Sequence, residues 1–453
     1  MLIKNTEHSV NIEDMNHFGY GVARIDGIAV FVPGAAVGDV ARIKIIKTTK
    51  NYAVGKLLAV EVPSKNRSPK DQCCPAANRC GGCNYQHILY ETELSQKQKE
   101  VLFALRKEGF RNITIEPCKN TGKIDFYRNK AQYPVGCDSN GKIVAGFYKT
   151  KSHEIIADCP CRLSPHIFSE IVTETIRFLN DFHITAYDET SHRGLVRHIY
   201  LRSSGDGGEI LLCLVINGTK LPQSETLISR LQAQFPQIVG VVLNSNTQPT
   251  NIILGNHTQT LWGRDYIYDT LCGLRFKISA HSFYQVNHDG AEILFNTARE
   301  LLSVSDEDIL LDLYCGIGAV GMIVGQKAKE LIGIEIVPDA VKNANENAKA
   351  NGFKNASFFC ANAADAKALL RDKHITTASV DPPRSGLDRN LIDYIAEIAP
   401  KRILYISCNP STLARDLRYF SEHGYSTDTV YPVDMFPRTG HVECVVLLTK
   451  THN

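Results

Sequence analysis

In RILYISCNPSTLARD, residues 402–416, Cys408 ends an apolar run and stands directly before a helix start. A thiol at a helix N-terminus feels the positive end of the dipole, so its pKa is expected to fall toward the thiolate. The competing reading is a small buried core residue, which free cysteine often is. Two carboxylates could work beside it. Asp381, in SVDPPRSG, ends another apolar run where two prolines force the chain out of the sheet. Glu443, in GHVECVVLL, leads the last apolar run and could be a general base or an ordinary strand-edge charge.

ILLDLYCGIGAVG sets Asp312 and glycines 316, 318 and 321 where a strand hands over to a helix. Glycines there let the backbone approach a ligand closely. Glu335 closes the next strand about twenty residues on, where an acid would hold ribose hydroxyls. NADH and S-adenosylmethionine both fit these features, and the tight DLYCGIG spacing favours S-adenosylmethionine. A methyl acceptor with a lone pair needs only a base. Carbon 5 of uracil has none, and thiolate addition at carbon 6 would turn it into a nucleophile. A base must then remove the carbon 5 proton before the thiolate can leave.

A second set of thiols lies upstream in CCPAANRCGGC, at positions 73, 74, 80 and 83. Cys74, Cys80 and Cys83 have the spacing C-x5-C-x2-C, and IADCPCRL offers Cys159 or Cys161 as a fourth ligand. Three clustered thiolates and one distant one suit a four-iron cluster. Tetrahedral zinc is the runner-up, and unliganded thiols the third reading. Between Val40 and Lys70 there are eight Lys or Arg residues and one acid, Glu61, the footprint of a phosphate-binding surface or of a solvated face. SHRGLVRHIYLRS crowds His192, Arg193, Arg197, His198 and Arg202 around Tyr200, a set that could hold phosphates and stack a base.

These groups need elements to position them. The chain has 453 residues, 43% hydrophobic and 22% charged, with net charge +2, which implies a soluble globular protein of two to four domains. No run is long enough to span a bilayer and no signal peptide opens the chain, so a cytoplasmic location is expected. Fourteen cysteines are then free thiols, ligands or nucleophiles rather than disulfides. Residues 1–62 read as short strands with glycine turns, an OB-like barrel. Residues 63–270 read as a central α+β domain with the cysteine cluster, and its helix at about 91–110 could pack on the C-terminal domain. Residues 271–453 alternate strand and helix, with strands at 309–314, 331–336, 357–360, 377–381, 402–407 and 443–449. That alternation predicts a Rossmann-like, doubly wound parallel α/β sheet.

DLYCGIG, DPPR, SCNPSTLARD and GHVE, in this order, resemble the uracil-5 RNA methyltransferase family, and the likeness covers almost the whole chain. FYQVN (283–287) resembles the segment leading into the family's catalytic domain, and the N-terminal barrel resembles its TRAM domain. The resemblance implies Cys408 as nucleophile and Glu443 as base. It implies S-adenosylmethionine contacts from Gln285, Tyr314, Glu335 and Asp381, with Asn362 near the adenine. It implies a [4Fe-4S] cluster on Cys74, Cys80, Cys83 and Cys159, which fit the family spacing better than Cys73 and Cys161. Ala319 departs from members that carry an Asn there, and that contact is not carried over. A TRAM-like barrel together with a cysteine cluster resembles the ribosomal branch, so 23S rRNA is the expected substrate and a monomer the expected state. Transfer RNA is the alternative within the class. A non-catalytic iron–sulfur RNA-binding or assembly factor is the alternative outside it.

Overall fold

The computed structural model describes residues 2–363, 370 and 373–451. Residues 7–62 form a six-stranded, mostly antiparallel sheet curled around Val30, Val32, Ala41, Ile43 and Ile45. The alternation in Val40–Thr48 explains it. Ala41, Ile43 and Ile45 point inward while Arg42 and Lys47 face solvent.

The central unit is a second six-stranded sheet, whose strands Val196–Ser203, Ile210–Ile216 and Ile238–Ser245 are almost wholly buried. Helices His166–Asp181 and Ser224–Gln234 cover it through Phe168, Phe178, Leu227 and Leu231.

The C-terminal unit holds a nine-stranded sheet. Five strands are parallel, in the order Ala356–Cys360, Glu330–Glu335, Ile309–Leu313, Thr377–Val380, Arg402–Ser407. Hydrophobic cores lie on both faces, as a buried parallel sheet requires. The strand order reverses at Ile309–Leu313, which makes the crevice beside its carboxyl end the place for a ligand.

The expectation of an all-parallel sheet fails at the sixth strand. Glu443–Lys450 runs antiparallel between Arg402–Ser407 and Thr429–Val433. The chain enters it from a neighbouring strand by a loop, so no helical crossover is available to make it parallel. The short strand Thr114–Ile115 then pairs with Thr429–Val433, and helix Tyr90–Lys107 packs Val101 and Leu105 into the core shared with Leu417 and Phe420. Among the described residues no helix is long and apolar enough to cross a membrane.

Candidate active site and thiol cavity

At the switch point the chain leaves strand Ile309–Leu313 through three left-handed residues: Tyr314 at φ 62°, Gly316 at 55° and Gly318 at 81°. A tyrosine in that region is held there by its surroundings, a form of strain that marks ligand edges. The Cys315 N–H donates to Ile334 O at 3.1 Å and pins the turn to the neighbouring strand. Glu335 holds it from across the loop. Its Oε2 accepts from the Gly316 N–H at 3.1 Å, and its Oε1 from the Ile336 and Val337 N–H groups at 2.9 and 3.0 Å. Asp312 lies beneath the loop, accepting from the Gly321 N–H at 2.9 Å and from Ser379 Oγ at 2.6 Å. A Cβ on Gly321 would sit 2.6 Å from Asp312 Oδ2, so this glycine is needed for close approach.

Tyr314, Glu335 and Asp381 thus stand at or just past the carboxyl ends of three adjacent strands. Asn362 lies exposed just past a fourth, Ala356–Cys360. Gln285 is buried in the segment before the first catalytic helix, its backbone carbonyl accepting from Asn129 Nδ2 at 3.0 Å. Tyr314, Glu335, Asn362 and Asp381 therefore share the carboxyl edge of the parallel strands. Burial pushes the Asp381 carboxyl up to about 7, with the Asp312 charge adding to it.

The antiparallel strand brings the two candidate groups, Cys408 and Glu443, to the same level of the sheet. Its register pairs Ser407 with Cys444, so one step further Cys408 is level with Glu443. In a parallel strand the two would lie at opposite ends of the sheet. Asn409 caps the helix Pro410–Glu422 by accepting from the Ser411 N–H at 3.1 Å. Its Nδ2 also donates to Arg384 O at 3.0 Å, tying the helix start to the DPPR loop.

The thiol is not depressed as the helix position predicts. Burial pushes Cys408 up to about 11, and the Glu443 and Asp381 charges add to it, against the pull of Arg384 and the local backbone. Half-burial and two acids outweigh the helix terminus. Glu443 is itself pushed up to about 8, by burial and then by Asp381, with Arg384 opposing. The Asp381 charge thus raises both the Cys408 thiol and the Glu443 carboxyl. At neutral pH Glu443 is largely protonated, which lifts its repulsion from Cys408.

Phe283, within FYQVN, is an exposed aromatic that reasoning from the sequence passes over. It is 70% exposed, between buried Ser282 and buried Tyr284 and two residues from Gln285. Its exposure is not legible in the sequence, because a phenylalanine between two buried residues reads as core.

The loop leading to Glu443 is anchored from the N-terminal third of the chain. Buried Lys97 donates to Glu93 and Asp434 at 2.7 Å each and to Phe436 O at 3.1 Å. Burial alone would lower the Lys97 pKa, but the two carboxylates outweigh it and hold it raised. The Arg438 N–H donates to Glu93 Oε1 at 2.8 Å. The Asn84 and Tyr85 N–H groups both donate to Arg438 O at 3.1 Å, and the Gly440 N–H donates to Asn84 Oδ1 at 3.1 Å.

Cys83, next to Asn84, belongs to a cavity of about 210 Å³ lined by Cys74, Cys80, Cys83, Cys159 and Cys161 with Gln86, Arg128 and Lys130. Cys73 turns away, donating its Sγ hydrogen to Gln86 O at 3.0 Å. Among the described residues no three ligating side chains close on one point as a single zinc ion requires. The surroundings suit an anionic group. Lys130 is lowered to about 8, first by burial and then by Arg202 and Arg128. Gln86 Nε2 is buried without a hydrogen-bond partner, while its Oε1 accepts from the Cys74 N–H at 3.1 Å. The thiols, the cations and the orphaned amide are compatible in chemistry with a four-iron cluster.

The basic stretch at 192–202 does not form the RNA surface read from sequence. Arg197 is buried and donates to the carbonyls of Asn246, Gln248 and Thr250. Arg202 donates to Ser279 O and Ser282 O, and Tyr200 OH to Ala280 O. These side chains staple the central sheet to the segment ahead of Phe283. Burial lowers His198 to about 4, so it is neutral, and only His192 and Arg193 are exposed. In the barrel, Arg67 pairs with buried Asp39 and Arg42 lies near Glu7 and Glu61, while Lys47, Lys50 and Lys56 stay exposed.

Residues 230–451 match the family model described as tRNA (Uracil-5-)-methyltransferase, and residues 4–58 match the TRAM domain. An uncharacterized RNA methyltransferase of Halalkalibacterium halodurans is 40% identical over 451 residues, covering 98% of this chain and 97% of its own. One from Oceanobacillus iheyensis is 39% identical over 450 residues, covering 98% and 97%. The Pyrococcus abyssi tRNA (uracil-54, C5)-methyltransferase, solved with S-adenosyl-L-homocysteine, shares the fold with a TM-score of 0.78 at 24% identity, covering 98% of this chain and 100% of that one. On this identity over nearly its whole length, the chain belongs to the S-adenosylmethionine-dependent RNA (uracil-5-)-methyltransferases.

Proposed function

We propose that this protein methylates carbon 5 of a uridine in 23S rRNA through a covalent adduct on Cys408. The observation that carries the reading is the register that sets Glu443 level with Cys408 beside the cofactor crevice. Bound among Gln285, Tyr314, Glu335, Asn362 and Asp381, S-adenosylmethionine supplies an electrophilic methyl group.

The Cys408 thiol releases its proton to solvent and its Sγ bonds to carbon 6 of the uracil, sending the carbon 5–carbon 6 electron pair toward the carbonyl at carbon 4. Carbon 5 then carries the nucleophilic character. Once it bears the methyl group, Glu443 takes its proton, the ring double bond re-forms and the carbon 6–sulfur bond breaks. In the fraction that is ionised, a carboxylate raised to about 8 is a stronger base for that carbon-bound proton than an ordinary glutamate. Arg384, whose charge reaches both Cys408 and Glu443, favours their ionised forms.

Cys74, Cys80, Cys83 and Cys159 hold the [4Fe-4S] cluster in this reading, with Cys161 the other candidate for the fourth place. The cluster braces the RNA-facing side of the protein and has no role in the methyl transfer. The enzyme works as a cytoplasmic monomer. Transfer RNA is the second substrate to test, because the matching family model and the Pyrococcus abyssi protein are both named for it.

Mapping 5-methyluridine in total RNA from cells with the protein, without it, and with Cys408→Ala tests the whole reading. The expected result is one or more 23S sites lost in both deficient strains. Loss confined to tRNA would move the substrate, and methylation surviving Cys408→Ala would sink the covalent route.

A further inference from the structure

The barrel meets the catalytic loop at the turn Asn16–Gly19, and that turn is locked. Asn16 Oδ1 accepts from the Phe18 and Tyr20 N–H groups at 3.1 and 3.0 Å, and the Gly19 N–H donates to Asn16 O at 2.9 Å. Gly19, at φ +75°, packs so closely that a Cβ would meet Asn84 O at 2.2 Å. On the other side His17 O accepts from Tyr85 OH at 3.4 Å and lies 1.9 Å from where a Gly440 Cβ would be. Gly440 is three residues ahead of Glu443. The His17 charge also reaches His441, which in turn feels Arg384, the residue facing Cys408 and Glu443.

On this locked turn Phe18 is 55% exposed and takes no part in the barrel core. Its ring lies 3.8 Å from that of His17 and 6.1 Å from that of Tyr20. The fold thus holds a flat apolar face in water, backed by a second ring, on the rim of the site. Nothing in the barrel's packing needs it there.

We propose that Phe18, backed by His17, is a stacking platform for an unpaired RNA base adjoining the uridine presented to Cys408. The proposal rests on the RNA-methylating reading above and adds a subsite to it. A uridine whose carbon 6 must meet a thiolate has to leave its stack, and its neighbour is left with a bare face. A rigid aromatic satisfies that face whatever the base, because every base has a π-face. Exposed Lys56, on the strand beside the one that pairs Pro33 with Tyr20, suits the backbone of that strand of RNA rather than an apolar partner. A protein partner would want a wider apolar patch than one phenylalanine ring beside a histidine and a tyrosine.

Two measurements on the full-length protein decide it. Phe18→Ala should weaken binding of unmethylated total rRNA and tRNA about tenfold or more and raise KM with little change in kcat. It should leave S-adenosylhomocysteine affinity and melting temperature unchanged, and Phe18→Trp should restore binding. Second, p-benzoyl-phenylalanine placed at position 18 in a Glu443→Gln background should photo-crosslink to the RNA within one or two nucleotides of the uridine held by Cys408. Wild-type affinity in Phe18→Ala, or a crosslink remote from that uridine, overturns the platform. A wild type that traps and methylates no RNA overturns the underlying reading instead, and the trapped adduct tells the two failures apart.

Discussion

Cys408 is a hard thiol to ionise, and its neighbours set when it does so. Burial and two acids hold it up at about 11, and only Arg384 and the local backbone pull the other way. Below that value the thiolate fraction falls tenfold per pH unit. Adduct formation under single-turnover conditions should therefore rise steadily from pH 6 to pH 9. Arg384→Ala should shift the profile to higher pH and slow adduct formation at pH 7 about tenfold, while S-adenosylhomocysteine binding stays put. An unshifted profile would remove Arg384 from the electrostatics. Glu443→Gln should stop the reaction one step later, so that protein–RNA adduct accumulates on denaturing gels. Free turnover in that variant would mean another group takes the carbon 5 proton. At the thiol cavity, Gln86→Leu should speed loss of the proposed cluster, once reconstituted, in air several-fold, read from its visible absorbance and not from activity. A cluster as durable as wild type would show that the orphaned amide has no partner there.

The element scale explains why those groups meet, and why sequence reading stops short of it. The apolar runs at 309–314, 331–336, 377–381 and 402–407 are legible because buried parallel strands are continuously hydrophobic. Glu443 is legible as a charge leading the last run, but its partner is not. Period and length are the same for a parallel and an antiparallel strand, and only the register sets Glu443 level with Cys408. Arg197 and Arg202 mislead for a related reason, since a cation bonded to buried carbonyls has the same letter as one facing a phosphate. Helix Tyr90–Lys107 hides its role as well, because Lys97 and Glu93 look like an exposed i,i+4 pair until Asp434 closes on them. Removing one member leaves a buried charge unpaired. Lys97→Met should cost about 3–5 kcal/mol in chemical denaturation and loosen the loop to Glu443. A wild-type unfolding midpoint would refute that account.

Across the whole molecule, three regions converge on one joint. The barrel turn at His17, the residues after Cys83 and the loop Arg438–Gly440 hold one another through Asn84 and Tyr85. The cysteine site thereby acquires a mechanical connection to the catalytic loop without taking part in its chemistry. With the proposed cluster in place, Cys80→Ser should lose its brown colour, lower the melting temperature and weaken RNA binding together. Loss of colour alone, with stability and RNA affinity intact, would reduce the cluster to a bystander.

The bond from Lys97 to Asp434 spans 337 residues of chain, and it has a consequence for how this protein is made. Helix Tyr90–Lys107 leaves the ribosome early, with an apolar face and a buried-type lysine that has Glu93 beside it but not yet Asp434. At about 5–20 residues per second the other half of its packing arrives roughly 15–70 seconds later. Until then the helix is a sticky amphipathic segment on a growing chain, with the barrel and central sheet already able to form around it. The last hundred residues complete a core that the first hundred began. A ribosome that stalls between them leaves that helix exposed to chaperones and proteases.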